Sequence, residues 1–381
     1  MASVAQRQQQ IAYLTEASRR MLAGCRVAAH DGTLLHTPDG EGNYKALWTR
    51  DFAYMVQNAR DLMPDDEIVA GLRYVLKAQR EDGSFPDRVN PDGHPIYAAG
   101  ADGAPIGEAN LDNVLFFVIA LDAYVGRQND AEKLALYREA AEQIDRGMDY
   151  LPLSPAGLVF NDPQKPHSPY GFTDTVRKTG ELFFESLLYW EAALRLVGLA
   201  TAIGDGARSE KYANQARAIA TAIERLWDPK AEAFFAATGD CRQLDVWGNA
   251  YLIEIGFPLS AERREAVLEF LHAHFDRYVW HGQVRHLLTG EYWEKLLIEV
   301  PHDTYQNGAY WATASGWVMK ALAPIAPALA DQMLADLIAD FQKEGICECV
   351  NDGYRKLPNF VVSATNALAG ARELARLDGS H

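Results

Sequence analysis

Apolar residues recur at three- and four-residue intervals along most of the chain, between breaks of Gly, Pro and Asn-Asp, and that period is the signature of amphipathic helices. It predicts twelve helices, over residues 5–23, 51–63, 65–80, 109–126, 131–150, 179–203, 208–228, 244–256, 260–275, 309–325, 327–343 and 361–377. Very short connections (Met63-Pro64-Asp65, residues 204–207, residues 258–260) alternate with six long ones rich in Gly, Pro and aromatics, at residues 24–50, 81–108, 151–178, 229–243, 276–308 and 344–360. Every long connection leads into an even-numbered helix. Short links favour antiparallel neighbours, so the alternation puts all long loops on one face and all short ones on the other. An all-α (α/α)6 toroid of six helical hairpins, one domain over residues 1–381, satisfies this. A repeat solenoid of the same hairpins is the competing architecture, but the hairpins share no repeat sequence. In the ring the even helices form the inner wall, and their N-termini, which favour anions and hydrogen-bond acceptors, open toward a cavity under the long loops. Long structured loops gathered on one rim are where function sits.

Composition narrows the partners. With 48% hydrophobic and 23% charged residues the chain has ample material for a large core. Its 36 Lys plus Arg against 52 Asp plus Glu give a formal charge of −16, which repels nucleic acid and anionic membranes at long range. No stretch approaches the roughly 18 apolar residues that span a bilayer, and residues 1–24 read as a polar amphipathic helix rather than a secretory signal. A cytoplasmic location is expected. Cys25 and Cys241 are isolated, and Cys347 and Cys349 flank a single residue, so free thiols are expected. The chain lacks a His-Glu-x-x-His pattern, a Walker loop, a Gly-x-Gly-x-x-Gly fingerprint and a Gly-x-Ser-x-Gly elbow; neither a metal nor a cofactor is expected.

The long loops carry the candidate chemistry. The first ends in Leu47-Trp48-Thr49-Arg50-Asp51, an aromatic plate, a cation and a carboxylate together where a helix starts, with Tyr54 and Asn58 continuing the face of Asp51. Sugar rings pack on an indole while charged groups hold their hydroxyls, so Trp48, Arg50 and Asp51 are candidate subsite residues; a local Arg50–Asp51 pair is the plainer alternative. The third loop holds Asp174, followed by Lys178, Glu181 and Glu185, which a helix from residue 179 would align on one face. A carboxyl among other carboxyls and aromatic rings has its protonated form favoured, as a general acid requires. In the last two loops, Tyr305, Gln306, Asn307 and Trp311 supply hydroxyl, amide and indole groups for a polyol, and Glu348 interrupts an apolar stretch where a carboxylate must be solvated, paired with Arg355 or Lys356, or used. Asp87, Arg88, Glu108, Asp112 and Asn113 on the second loop and the next helix, and Asp245, Trp247 and Asn249 on the fourth, are further candidates.

The chain resembles the six-hairpin glycosidase superfamily of glucoamylases, neutral invertases, processing α-glucosidases and trehalases. Trp48-Thr49-Arg50-Asp51 looks like the aromatic-x-Arg-Asp of the glucoamylase-type subsite, and Tyr305-Gln306-Asn307-Gly308 with Trp311 is similar to an invertase-type inner-helix motif. In those relatives the general acid precedes the sixth helix and the general base precedes the twelfth. The resemblance thus implies Asp174 as acid and Glu348 as base of an inverting hydrolase, with Glu181 and Glu185 as alternative acids. An aspartate acid departs from the glucoamylase branch and matches the processing-glucosidase and invertase branches, so the two motifs leave the sugar and linkage open. The expected partner is a small carbohydrate, cleaved from its end, with no nucleic acid and no membrane; no feature marks an oligomer interface. Three other functions fit such a barrel. A sugar epimerase or isomerase would use paired histidines drawn from His94, His281, His286 and His302. An unsaturated-uronide hydrolase would need a basic pocket built from Arg50, Arg88, Arg177 and Lys178. A non-catalytic sugar-binding protein would keep the ring alone.

Overall fold

The computed structural model describes residues 2–126 and 130–379. Twelve α-helices are found among them: α1 (Val4–Gly24), α2 (Thr49–Ala59), α3 (Asp65–Leu76), α4 (Asn113–Val125), α5 (Ala131–Tyr150), α6 (Phe183–Ala202), α7 (Gly206–Ala222), α8 (Val246–Glu254), α9 (Ala261–Ala273), α10 (Ser315–Leu322), α11 (Pro327–Glu344) and α12 (Val361–Asp378). Side chains cap several of the outer helices, where Asp130, Asp205 and Ser260 accept hydrogen bonds from backbone N–H groups of the first turn. None of the twelve is long and apolar enough to cross a membrane.

The even helices form the inner wall. Each packs on the next, α2 on α4, α4 on α6, α6 on α8, α8 on α10 and α10 on α12, and α12 returns to α2. That last contact makes the architecture a closed toroid and excludes the open solenoid. Side-chain and backbone bonds seal the seam: Asn58 donates to Asn366 at 2.6 Å, Arg372 grips both oxygens of Asp61 at 2.8 Å, and Val361 N–H donates to the Pro38 carbonyl at 2.9 Å. Position in the ring explains the composition of each helix. The inner helix α4 is apolar on all sides and buried from Val114 to Leu121, whereas outer helices such as α5 and α7 bury a single stripe. All four cysteines are free and buried.

The long loops fold back into small antiparallel sheets that the helical period does not announce. Five strands, Val279–Trp280, Gln283–Arg285, Tyr310–Trp311, Cys347–Asn351 and Tyr354–Pro358, join the fifth and sixth long loops into one sheet. This shortens α10, whose expected first turns are replaced by the strand at Tyr310–Trp311 and a 3-10 turn at Ala312–Ala314. The start of α6 is also later than expected. Gly180 adopts a left-handed φ of 81°, and Gly180–Glu181 pairs as a strand with Phe160–Asn161. A side chain at Gly180 would meet Thr238 Oγ1 at 2.5 Å, so the tight turn needs glycine.

Candidate active site

Under the long loops, at the N-terminal ends of the inner helices, lies a small pocket of about 310 Å3 including its open mouth. Tyr44 and Trp48 come from the first long loop, Arg50 and Asp51 from the first turn of α2, and Gly171, Phe172 and Asp174 from the third long loop. Tyr305, Glu348, Phe360 and Pro38 complete the wall. The expected carboxyls Asp51, Asp174 and Glu348, more than 100 residues apart in sequence, thus meet in one aromatic-walled cavity. Two wider clefts, of about 1110 and 910 Å3, open elsewhere. In the first, Asp340 is taken up by Gln283 and Arg355; in the second, Asp31 and Asp92 are exposed. Neither offers buried carboxyls free to meet a ligand.

Arg50 does not pair with Asp51. Its Nε donates to Asp112 at 2.8 Å and its Nη2 to Asp87 at 2.9 Å, all three side chains being almost fully buried. Asp112 also accepts from Gly171 N–H at 2.9 Å, and Asn110 donates to Asp87 at 3.1 Å. Asp87 and Asp112 therefore do not line the pocket; they fix Arg50, which does. The loop at Gly171 passes so close that an added Cβ would lie 1.6 Å from the guanidinium carbon. Because two carboxylates hold the guanidinium, it cannot step aside. Gly171→Ala is expected to cost about 3 kcal/mol through overpacking and a strained buried ion pair, visible as a lower denaturant midpoint with an unchanged slope.

Asp174 keeps partial contact with solvent through the pocket mouth. Its Oδ1 accepts from Gln306 Nε2 at 2.8 Å, and Gln306 is itself fixed by the Gly171 carbonyl at 3.0 Å and by Thr175 N–H and Oγ1 at 2.9 and 2.7 Å. Gln306 thus orients Asp174 and is not a pocket-wall residue. Burial by the surrounding protein pushes the Asp174 pKa up to about 7, against the opposing pull of Arg50 and the Gln306 hydrogen bond and with the support of Asp87 and Asp112. Asp51 is pushed to about 8 by burial, with Arg50 opposing and Glu348 reinforcing. Its Oδ1 and the Nε1 of Trp48 are buried without hydrogen-bond partners, one acceptor and one donor on the pocket wall. Unpaired polar atoms of this kind are costly unless a ligand meets them.

Glu348 is nearly fully buried; Tyr44 Oη donates to its Oε1 at 2.9 Å, and Lys356 Nζ lies 3.1 Å from its Oε2. Burial raises its pKa, opposed by Lys356 and Tyr44. Of the two expected ion-pair partners Lys356 is the one used, since Arg355 goes to Asp340.

Several expected subsite residues lie elsewhere. Because α6 begins at Phe183, Lys178 and Glu181 do not share a helical face with Glu185. Lys178 forms a buried ion pair with Glu185 at 2.7 Å, while Glu181 turns outward to Arg225 at 2.7 Å; neither glutamate lines the pocket. Trp247 stacks on His286 with ring centroids 3.9 Å apart, and Trp311 packs on Phe172 at 5.4 Å, so both indoles build the floor. Asn307 commits its amide to Trp293 N–H and the Val300 carbonyl, shaping the loop. None of the described histidines lines the pocket: His286 is buried, with its pKa pushed well down, His302 stacks on Tyr292 and His94 pairs with Asp102. The expected basic cluster does not assemble either, because Arg88 pairs with Asp87 and Arg177 with Asp240. Conversely, Tyr44, Phe172, Phe360 and Pro38 line the wall without having been singled out. Phe172 stood two residues from Asp174, but no period marks which loop aromatics face inward.

The mannosylglycerate hydrolase MGH1-like glycoside hydrolase domain matches residues 168–353, a segment just under half of the chain that carries both Asp174 and Glu348. No curated protein matches the sequence. Among similar solved structures, a rhamnosidase from Klebsiella oxytoca with rhamnose bound shares 16% identity at a TM-score of 0.65 over 94% of this chain. This chain spans 63% of the rhamnosidase's length. A mannosylglycerate hydrolase from Thermus thermophilus in complex with Tris shares 16% identity at a TM-score of 0.67, over 93% of this chain and 99% of that one. The same hydrolase in complex with Tris and D-glycerate gives 15% identity and a TM-score of 0.65, again over 93% and 99%. At such identities the structural likeness is one of fold. Joined to the matched domain, it makes the chain similar in fold to the six-hairpin glycosidases. The matched segment is that of a glycoside hydrolase domain.

Proposed function

We propose that the protein is an exo-acting, inverting glycosidase of small glycosides, with Asp174 as general acid and Glu348 as general base. The observation that carries this reading is that these two carboxyls, delivered by the loops before α6 and α12, line one small aromatic-walled pocket. Trp48, Phe172 and Phe360 offer apolar surface to the ring, while Trp48 Nε1 and Asp51 Oδ1 wait for hydroxyls. So small a pocket suits a terminal sugar better than an internal one, which favours cleavage from the chain end. In the reaction Glu348 takes a proton from water as the water oxygen bonds to the anomeric carbon. The bond from that carbon to the leaving oxygen breaks, and Asp174 gives that oxygen its proton. The names of the related enzymes point to mannosides and rhamnosides as first substrates to try.

Among the described residues the pocket wall holds neither a histidine pair nor an unpaired cation, which speaks against proton-shuttling isomerisation and against a uronide substrate. The pH dependence follows from the two carboxyls. Asp174 must carry its proton, so kcat/KM falls as pH rises through about 7. Glu348 must have lost its proton, so kcat/KM also falls as pH drops through a value above 4.5, the ordinary value for a glutamate. A bell-shaped profile with these limbs on a mannoside or rhamnoside supports the assignment; a profile flat from about pH 5 to 9 rejects it.

A further inference from the structure

Glu348 is gripped differently from Asp174, and the difference has a structural cause. The strand Cys347–Asn351 pairs with Tyr354–Pro358 so that Cys347 faces Pro358 and Cys349 faces Lys356, which leaves Glu348 level with Leu357. Leu357 interrupts the ladder with a left-handed φ of 48°, and Tyr305, across the pocket mouth, holds a left-handed φ of 39°. Both are sparsely populated conformations for residues other than glycine, and such strain collects at functional sites. Between them sits Lys356, its ammonium 3.3 Å over the Tyr305 ring, 3.1 Å from Glu348 Oε2 and 3.5 Å from Tyr44 Oη.

We propose that Lys356 is a positioning residue that, by its ion pair at Oε2 and beside the Tyr44 hydrogen bond to Oε1, holds Glu348 and fits it to the work of a general base. The proposal rests on the hydrolase reading above. Asp39 and Tyr44 face Glu348 from the first long loop, Asp51 from α2, Tyr305 from the fifth long loop, and Cys349 and Tyr354 from the sheet. Every one of these is acidic or neutral, and among the described residues Lys356 is the one cation within ion-pair distance of Glu348. Arg50 also pulls on the Asp174 carboxyl, but it makes no ion pair with it, because its own hydrogen bonds go to Asp87 and Asp112. The two carboxyls of the pocket thus differ in their partners, an ion pair and a hydroxyl for Glu348 and an amide for Asp174, and that asymmetry favours different protonation states. Lys356 is not itself a pocket-wall residue and acts through the wall residues it touches, Glu348, Tyr44 and Tyr305.

The test uses the full chain labelled with 13C at glutamate carboxyls, with the Glu348 signal identified by its loss in Glu348→Gln. In Lys356→Met the titration midpoint of Glu348 is expected to rise by about one pH unit or more, the usual effect of removing an opposite charge at this distance. Lys356→Arg should bring it back toward the native value. On a hydrolysed glycoside the acid limb of the pH profile should move by the same amount while the alkaline limb stays in place. An unmoved Glu348 midpoint in a folded Lys356→Met protein overturns the proposal, whether or not any glycoside is cleaved. A moved midpoint without glycoside cleavage by the native protein would retain the positioning role of Lys356 and overturn the hydrolase assignment on which its catalytic meaning rests.

Discussion

Asp174→Asn is expected to lower kcat/KM on an alkyl glycoside by about a thousandfold or more, within the usual range for loss of a general acid. The substitution is nearly isosteric, and the asparagine oxygen can still accept from Gln306 Nε2 as Asp174 Oδ1 does. The loop therefore keeps its place, and the missing element is the proton. A leaving group that departs without protonation should feel little of this. Glycosyl fluorides and dinitrophenyl glycosides are expected to lose far less than alkyl glycosides, so a plot of log kcat/KM against leaving-group acidity steepens in the variant. An equal loss on every substrate would assign Asp174 to binding or folding instead.

Glu348→Gln should cost as much and show the opposite selectivity. Attack of water is common to all substrates, so the loss is expected to be about a thousandfold or more whatever the leaving group. The amide keeps the volume and one acceptor for Tyr44, but it sets an uncharged group against Lys356 and cannot take a proton from water. Azide, a nucleophile that needs no base, should restore turnover and yield a glycosyl azide of inverted configuration. Leaving-group selectivity in this variant, or azide rescue of Asp174→Asn in its place, would exchange the two roles.

The ring was legible because it follows from spacing. Long loops before every even helix can lie on one rim only if the hairpins close, and the α12–α2 seam is where they do. The same logic brought Asp51, Asp174 and Glu348 within reach of one another. Where the reading failed, a tertiary contact had overridden a local pattern. Apolar periodicity runs through Lys178 and Glu181, but the left-handed turn at Gly180 ends it, and the ion pairs with Glu185 and Arg225 send the two side chains in different directions. Trp247 and Trp311 look like sugar platforms because they begin inner helices, yet both indoles are buried against neighbouring rings, Trp247 on His286 and Trp311 on Phe172. Tyr44 and Phe360 gave no signal because loop aromatics acquire a direction only when distant loops meet, here through the bridge between Asp39 and Phe360. Lys356 stood in the sequence as a plain ion-pair partner, and only the strand register and the Tyr305 ring give that pair a place at the pocket mouth.

The central claim is single-displacement hydrolysis by Asp174 and Glu348, and the anomeric configuration of the first sugar released tests it most directly. Time-resolved proton NMR of the purified protein on α- and β-linked alkyl mannosides, rhamnosides and glucosides should show the anomer opposite to the substrate's appearing first, before mutarotation, with release by Asp174→Asn or Glu348→Gln slowed by about a thousandfold or more. First release of the retained anomer, or undiminished release by either variant, would contradict the account.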